Sequence, residues 1–262
     1  MPFTLAHAAA GPPLWRLTGR RLVLSALVVG SMAPDFEYLV HLRTTRTIGH
    51  TLPGLILMGL PASLAVLALW HGLVKRRLAT LWPGRAGHLL AAAQRPFPWA
   101  PAERFATICA SVLLGAWSHL AWDAFTHRNG LVVKHLGFLT HRVGIGHLHV
   151  YNVLQYSSGL LGMALLVAGY RRWAARSIRA AGGDVRARAK PGLPAPARWT
   201  ALAATGMALA SGGLVGVARA LSAGAGPRRV LVQGVLGTMA AAVVAAVVLA
   251  LVLEAAAQRR RA

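Results

Sequence analysis

Cysteine and acidic residues are scarce in this chain of 262 residues. The single cysteine, Cys109, excludes a disulfide within the chain and a cysteine-based zinc site. It stands in an apolar segment, as expected of a small buried hydrophobic residue. Only six residues are acidic, against 28 lysines and arginines. The role of each carboxylate can therefore be considered individually.

The chain also lacks an aromatic-interleaved basic domain, although its formal net charge of +22 would by itself suggest a nucleic-acid-binding protein. Its basic residues cluster between apolar segments, as they do in the loops of membrane proteins. The sequence shows no Ser-His-Asp arrangement, phosphate-binding glycine loop or dinucleotide fingerprint. We therefore expect membrane lipids, and not nucleic acid, as the primary partner. The sequence leaves the oligomeric state open.

Apolar sequence is what the chain has in excess, since 56% of its residues are hydrophobic. This share is high for a soluble domain and typical of a polytopic membrane protein. Six apolar segments have lengths near the ~20 residues that a helix needs to cross a ~30 Å hydrocarbon core. We predict an all-α fold, a polytopic helical membrane protein with about six transmembrane helices. The segments are 22–41, 53–74, 105–125, 153–170, 199–218 and 230–253.

The distribution of positive charge predicts how these segments are oriented in the membrane. Lysines and arginines are concentrated before the first segment, in the 75–104 and 171–198 loops, and in the C-terminal tail. The 42–52 and 126–152 loops contain fewer. The positive-inside rule then predicts that both termini are cytoplasmic and that the two less basic loops face outward.

Composition divides the chain into three parts. The stretch 171–198 is rich in Arg, Pro and Gly and is predicted to be a basic cytoplasmic linker. Residues 1–170 contain all eleven histidines and are expected to form a membrane-embedded domain with a metal site. Residues 199–262 are expected to form a two-helix transmembrane scaffold with a basic tail. Within them, GGLVG at 212–216 spaces small residues four apart, a signal for close helix packing.

The stretch SHLAWDAFTH places ionisable residues in an apolar segment. His119 and Asp123 are four residues apart, so a helix presents both on one face. His127 follows after four more. Imidazole and carboxylate at this spacing commonly chelate a metal. A buried His–Asp hydrogen bond between helices is the alternative, and the pair alone does not decide between the two.

Other ionisable residues favour the metal. A carboxylate within the bilayer costs about 2.5–3.5 kcal/mol, so it marks a site with a partner. Asp35 follows a proline where a helix can break and restart, and Glu37 faces another direction. His50 stands at the entry to the second apolar segment. With six spans, Asp35, His50 and the His119–Asp123 pair all lie toward the outer ends of helices, so we predict that they converge on a metal ion.

Several segments resemble those of a bacterial membrane family, domain of unknown function 4184. They lie within about 1–170 and are MPFTLAHAA, GSMAPDFEY, GHTLPG, SHLAWDAFTHRNG and YNVLQYSSGLLG. The family is distantly similar to inner-membrane metal-dependent hydrolases of the LexA-binding type and to the zinc phospholipase C and P1 nuclease group. In that group, aspartates and histidines hold zinc ions that activate water on phosphoesters.

The resemblance implies specific ligands. A lone histidine near a terminus is more often solvated, but the resemblance makes His7 an N-terminal ligand. His127 matches the next histidine of the pattern. The phospholipase pattern also needs a His-x-x-x-Glu, which the GHLHV segment does not provide. We therefore expect one divalent metal ion or at most two, with zinc as the candidate. The implied metal ligands are Asp35, His50, His119, Asp123 and His7.

A zinc ion with an open position lowers the pKa of bound water toward 7. A spare carboxylate or imidazole can then take the proton. The candidates for this catalytic role are Glu37, His127 and His141. The histidine-rich 126–152 loop is either a lid with cations for an anionic head group or a solvated loop without a role.

Two functions follow from this reading. The first is a membrane-bound metal-dependent hydrolase acting on a lipid or phosphoester near the outer face of the bacterial cytoplasmic (inner) membrane. The alternative is a non-catalytic integral membrane protein, with a role in metal transport or assembly and a structural His/Asp cluster. A transport path would line the whole membrane with polar groups, whereas this set is confined to the first three spans. That confinement favours a local site.

Overall fold

The computed structural model of this chain describes residues 4–42, 48–81, 87, 96–144, 147–180 and 193–259. Among these residues the secondary structure is helical, and the only extended pairing is an isolated bridge between Arg142 and His149. The all-α prediction is confirmed. Part of the predicted 171–198 linker, residues 181–192, lies outside the described residues.

The helices are labelled in chain order. A 3-10 helix, Thr4–Ala10, precedes them. Two π-helical turns interrupt α4, and the first of them ends just before Pro61, whose ring does not fit a regular helix. The labels are α1 (Gly11–Leu17), α2 (Leu24–Gly30), α3 (Phe36–His41), α4 (Leu52–Leu81), α5 (Ala102–Thr126), α6 (Leu131–His135), α7 (Val150–Ala180), α8 (Ala195–Ser222) and α9 (Pro227–Arg259).

Five helices among the described residues are long and apolar enough to cross a membrane. They are Leu52–Leu81, Ala102–His135, Val150–Arg179, Ala195–Ser222 and Pro227–Arg259. The membrane-spanning character of the chain is therefore confirmed, but the count of about six is not.

The segment 22–41 is the one that forms no such helix. It breaks into α2, a 3-10 turn at Ala33–Asp35, and α3. Pro34 lacks a backbone N–H and disfavours a helical conformation of the residue before it, which is why α2 cannot continue through this point. Asp35 and Glu37 are buried here, so the segment turns its acidic residues into the protein.

The chain forms two compact units. The first comprises residues 1–36, 46–64 and 99–169. In it, α2 packs against α5 at two glycines: a Cβ on Gly30 would overlap the carbonyl oxygen of Val112, and one on Gly115 would overlap that of Leu27. The Ser111 hydroxyl accepts a 2.9 Å hydrogen bond from the Val23 backbone N–H. These contacts hold α2, from its N-cap to its last residue, against the middle of α5.

The second unit comprises residues 37–45, 65–98 and 170–262. Its helices α8 and α9 cross where Gly212 and Gly216 meet the backbone of α9. A Cβ on Gly216 would overlap the carbonyl oxygen of Gln233, so the small residues of GGLVG do lie at a helix–helix crossing. An ion pair between Arg77 Nε and Glu254 Oε2, 2.6 Å long, joins the end of α4 to α9.

We expect Gly216→Ala to destabilise this helix pair. The added Cβ has no space beside the Gln233 carbonyl, and forced overpacking typically costs about 1–3 kcal/mol. The melting temperature of the detergent-solubilised protein should fall, as measured by intrinsic tryptophan fluorescence.

The matched control is Gly206→Ala on the same helix, because a Cβ on Gly206 would meet nothing within 4 Å. Alanine forms helices better than glycine, by up to about 1 kcal/mol, so this variant should melt no lower than wild type. Equal melting temperatures for the two variants would contradict the close crossing.

Candidate metal centre

Asp35 and His50 enter the site from two short turns. Asp35 ends the 3-10 turn Ala33–Asp35 and is 2% exposed. His50 stands just before α4, in a turn organised by Thr51. The Thr51 hydroxyl donates to the Ile48 carbonyl at 2.7 Å and accepts from the Gly54 N–H at 3.1 Å, capping α4. Local hydrogen bonds therefore hold His50 at the entry to the helix.

His119 and Asp123 share one face of α5, as their spacing predicts. Both are buried. The Nδ1 of His119 is 2.8 Å from the Ser31 carbonyl oxygen, which only accepts hydrogen bonds. Nδ1 therefore carries the ring proton and Nε2 presents its lone pair. Metal-ligating histidines are typically oriented by such a bond.

The structure brings these four side chains together. The Nε2 of His50 is 3.4 Å from Asp35 Oδ1 and 3.7 Å from Asp123 Oδ2. The Nε2 of His119 is 3.6 Å from Asp35 Oδ1 and 3.5 Å from Asp123 Oδ2. Two imidazole nitrogens and two carboxylate oxygens thus alternate around one point. We call these four residues the cluster.

The cluster fits a divalent metal ion. Ligand atoms about 2.0–2.2 Å from one tetrahedral ion stand about 3.3–3.6 Å apart, close to the distances observed. Both oxygens of Asp35 and the Nε2 of His119 are buried, and no described residue hydrogen-bonds to them. Buried polar atoms are normally satisfied, so a shared cation accounts for these three. The group Asp35, His50 and His119 could hold a metal ion.

His7 adds a fifth side chain. It lies on the N-terminal 3-10 helix, its ring stacks on His119 with centroids 3.8 Å apart, and its Nε2 is 3.8 Å from Asp123 Oδ1. Burial, with the neighbouring His119 imidazole, lowers the pKa of His7 to about 4. The ring is therefore neutral at pH 7, which is the form that binds metals.

His7, His119 and Asp123 form a second group that could hold an ion. The two groups share His119, whose Nδ1 is already occupied by the Ser31 carbonyl. Its single free lone pair can serve one ion. The two groups are therefore overlapping descriptions of one site around His119.

His127 lies beside the cluster. The helix α5 ends at Thr126, and His127 has an extended backbone with φ −122° and ψ 141°. Its Nδ1 is 3.1 Å from Asp123 Oδ1, and its Nε2 is 2.9 Å from the side-chain nitrogen of Gln155. The amide nitrogen can only donate to Nε2, so Nδ1 carries the proton. Besides Asp123, the Thr126 hydroxyl lies close to Nδ1, at 3.2 Å. Asp123 thus faces the cluster with Oδ2 and His127 with Oδ1.

Gln155 is the residue that sequence reasoning missed. It belongs to the segment YNVLQYSSGLLG, whose family resemblance was visible but whose chemistry was not assigned. A glutamine inside an apolar helix is a polar group that needs a partner. That signal could have indicated that Gln155 has a polar partner, but not that the partner is His127.

Two further catalytic candidates are His141 and Glu37. His141 is exposed in the loop after α6, where its ring stands edge-on to Phe138 at 6.1 Å, and it makes no polar contact with the cluster among the described residues. Glu37 is buried in α3, within the second unit, and its backbone carbonyl is 3.0 Å from His41 Nδ1. Their catalytic roles stay predictions.

Comparison with known proteins identifies a family but no activity. The model of a family described as domain of unknown function DUF4184 matches residues 1–255. No curated protein and no solved structure matches the chain. The similarity to metal-dependent hydrolases therefore stays an expectation from the sequence.

We expect Asp35→Asn to abolish metal binding without unfolding the protein. The amide keeps the shape of the carboxylate but removes its charge, and the charge is what a divalent cation requires. Protein expressed without a histidine tag and loaded with zinc should carry about one ion per chain, and the variant should carry almost none by elemental analysis. Added zinc should raise the melting temperature of wild type only, since a ligand stabilises the state that it binds.

Glu103→Gln is the matched control, because Glu103 is an exposed acid on the first turn of α5. It should leave both the metal content and the zinc-dependent melting shift unchanged. The metal assignment fails if wild type and Asp35→Asn bind equally little zinc.

Proposed function

The chain belongs to the DUF4184 family, and we propose that it is a membrane-bound metal-dependent hydrolase acting on an ester or phosphoester near the outer face of the membrane. The observation that carries the proposal is the buried cluster, in which Asp35 and His119 present atoms that no described residue hydrogen-bonds. A carboxylate–imidazole set with such atoms suits zinc, which takes nitrogen and oxygen ligands. A cavity reaches the same place, lined in part by His7, Asp123 and His127.

The residues of the site have different roles in the proposed reaction. A bound zinc ion would polarise the ester and make water more acidic. Asp35, His50, His119 and the Oδ2 of Asp123 would hold that ion, and water or the ester would bind as a fifth ligand. The Oδ1 of Asp123 lies 3.1 Å from His127 Nδ1 and would help to orient its ring.

His127 is then the base. With the proton on Nδ1, its Nε2 lone pair faces the side-chain amide of Gln155 at 2.9 Å. The amide must rotate away before Nε2 can accept the proton of the attacking water and return it to the leaving group. Both residues line the cavity, so the base and the substrate would meet there.

Charge supports an outward-facing site. Five crossings, the number of long apolar helices among the described residues, would place the loops after the first, third and fifth spans on one side. Those are the basic 75–104 and 171–198 loops and the C-terminal tail. The positive-inside rule makes that side cytoplasmic. His50 before the first span and His119 near the end of the second then both lie toward the outer face of a bacterial inner membrane.

Five crossings would also change the side of the membrane on which the N-terminus is expected. Both termini are cytoplasmic only if the number of crossings is even. With five, the N-terminus lies outside and His7 is on the side of the other ligands. Arg16, Arg20 and Arg21 then lie outside as well. These three positive charges go against the positive-inside rule.

We expect His127→Asn to reduce hydrolysis about 10²- to 10⁴-fold, the usual contribution of a general base. The asparagine amide can still donate to Asp123, but it provides no basic nitrogen. Zinc-loaded protein in detergent is assayed with p-nitrophenyl acyl esters and with a p-nitrophenyl phosphodiester. The zinc content of the variant should equal that of wild type.

His147→Asn, in the exposed loop before α7, is the control and should retain wild-type activity. Zinc-loaded wild type that cleaves neither substrate class would contradict the hydrolase. It would leave a non-catalytic protein with a role in metal transport or assembly.

A further inference from the structure

The cluster opens into a cavity of about 480 Å³ within the first unit. Its walls come from the N-terminal 3-10 helix with α1, from α5 and from α7. At one end are the polar groups His7, Asp123, His127 and Gln155. The volume is in the range of about 300–1,000 Å³ that small-molecule sites occupy.

Away from that end the walls are almost entirely apolar. The residues there include Pro13, Leu14, Leu17, Leu161 and Leu165. Leu17, Leu161 and Leu165 are 82%, 60% and 55% exposed, so the apolar part is open to the surroundings. Because α5 and α7 are long and apolar enough to cross a membrane, those surroundings are lipid.

Two contacts fix the shape of the cavity. The Trp122 indole N–H donates to the Ser158 hydroxyl at 3.1 Å, which ties α5 to α7. A Cβ on Gly162 would lie 2.9 Å from the carbonyl oxygen of Ala6, so the glycine allows the N-terminal 3-10 helix to rest on α7. Since Ala6 precedes His7, this contact sets the cavity wall and the position of His7 together.

We propose that the cavity holds the apolar chain of a single-chain membrane amphiphile, whose ester or phosphoester lies at the cluster. This inference rests on the proposed function, whose substrate class it names. The polar end can take the reacting group, and the apolar part can take the chain. A cavity of this size has room for one chain but not for a whole diacyl lipid.

Moving an apolar chain from the bilayer into the cavity costs little free energy. Lipid tails are as apolar as leucine side chains, so a chain that moves from the bilayer into the cavity exchanges one apolar environment for another. Chain burial then gives little net binding, and the contacts of the head group decide which amphiphile stays. An amphiphile can move laterally into the cavity without crossing water.

Photolabelling of metal-free protein tests the cavity. The probe is a palmitoyl lysophospholipid with a diazirine at the end of its chain, added to protein in lipid nanodiscs and treated with a chelator. Mass spectrometry after irradiation locates the label. We expect it to concentrate on peptides that contain residues 6–17 and 155–165.

The variants are a matched pair on α7. Leu161 lines the cavity and is 60% exposed, whereas Leu160 is 65% exposed and is not part of its lining. Leu161→Trp should obstruct the cavity and reduce labelling of these peptides several-fold. Leu160→Trp adds the same ring to the same helix and should not change it. Tryptophan fluorescence melting checks that both variants are folded.

The outcomes separate the two proposals. Labelling spread evenly over the exposed apolar helices, with no difference between the two variants, would overturn the chain-binding cavity while zinc binding and hydrolysis stood. Labelling confined to the cavity in a protein that binds no zinc and cleaves no ester would support the cavity and overturn the hydrolase.

Discussion

The structure of the first unit depends on how the buried carboxylate of Asp35 is stabilised. It is 2% exposed, and no described residue donates a hydrogen bond to either of its oxygens. A buried charge without a partner costs several kcal/mol, and the nearest described polar atoms in the cluster are imidazole nitrogens at 3.4 and 3.6 Å. A cation shared with His50 and His119 would remove that cost. Such a site would also explain why an otherwise apolar chain keeps carboxylates in this region.

The surrounding structure serves to bring that carboxylate to α5. Glycines at 30 and 115 let α2 approach α5 so closely that the Ser31 carbonyl reaches His119. The break at Pro34 then turns the chain, so that Asp35 faces the same imidazole from the other side. A continuous helix through 22–41 would have kept Asp35 about one turn from Ser31. The break in the 22–41 segment and the formation of the cluster therefore have one cause.

Sequence patterns predicted the part of the site that depends on local geometry. The His119–Asp123 spacing places both side chains on one helical face, and Asp35 and His50 stand where apolar segments begin or break. The position of His7 was implied only by the family resemblance, because residue patterns leave open whether 22–41 crosses the membrane and so on which side His7 lies. Hydropathy measures the apolar content of a segment but not its continuity, although Pro34 was a visible sign of a break. The contact between Gln155 and His127 depends on how α7 packs, which no local pattern encodes.

Asp123 links the candidate metal ligands to His127, the proposed base. Its Oδ2 lies with His50 and His119, and its Oδ1 lies with His127 at 3.1 Å. One carboxylate can thus serve as a ligand and as the group that orients the base. His119 Nε2 offers a single lone pair, so the site has a complete set of ligands for one ion. A second ion would have to share Asp123 Oδ1 with His127, whose Nδ1 is 3.1 Å away, and this favours a site with one metal ion and a base beside it.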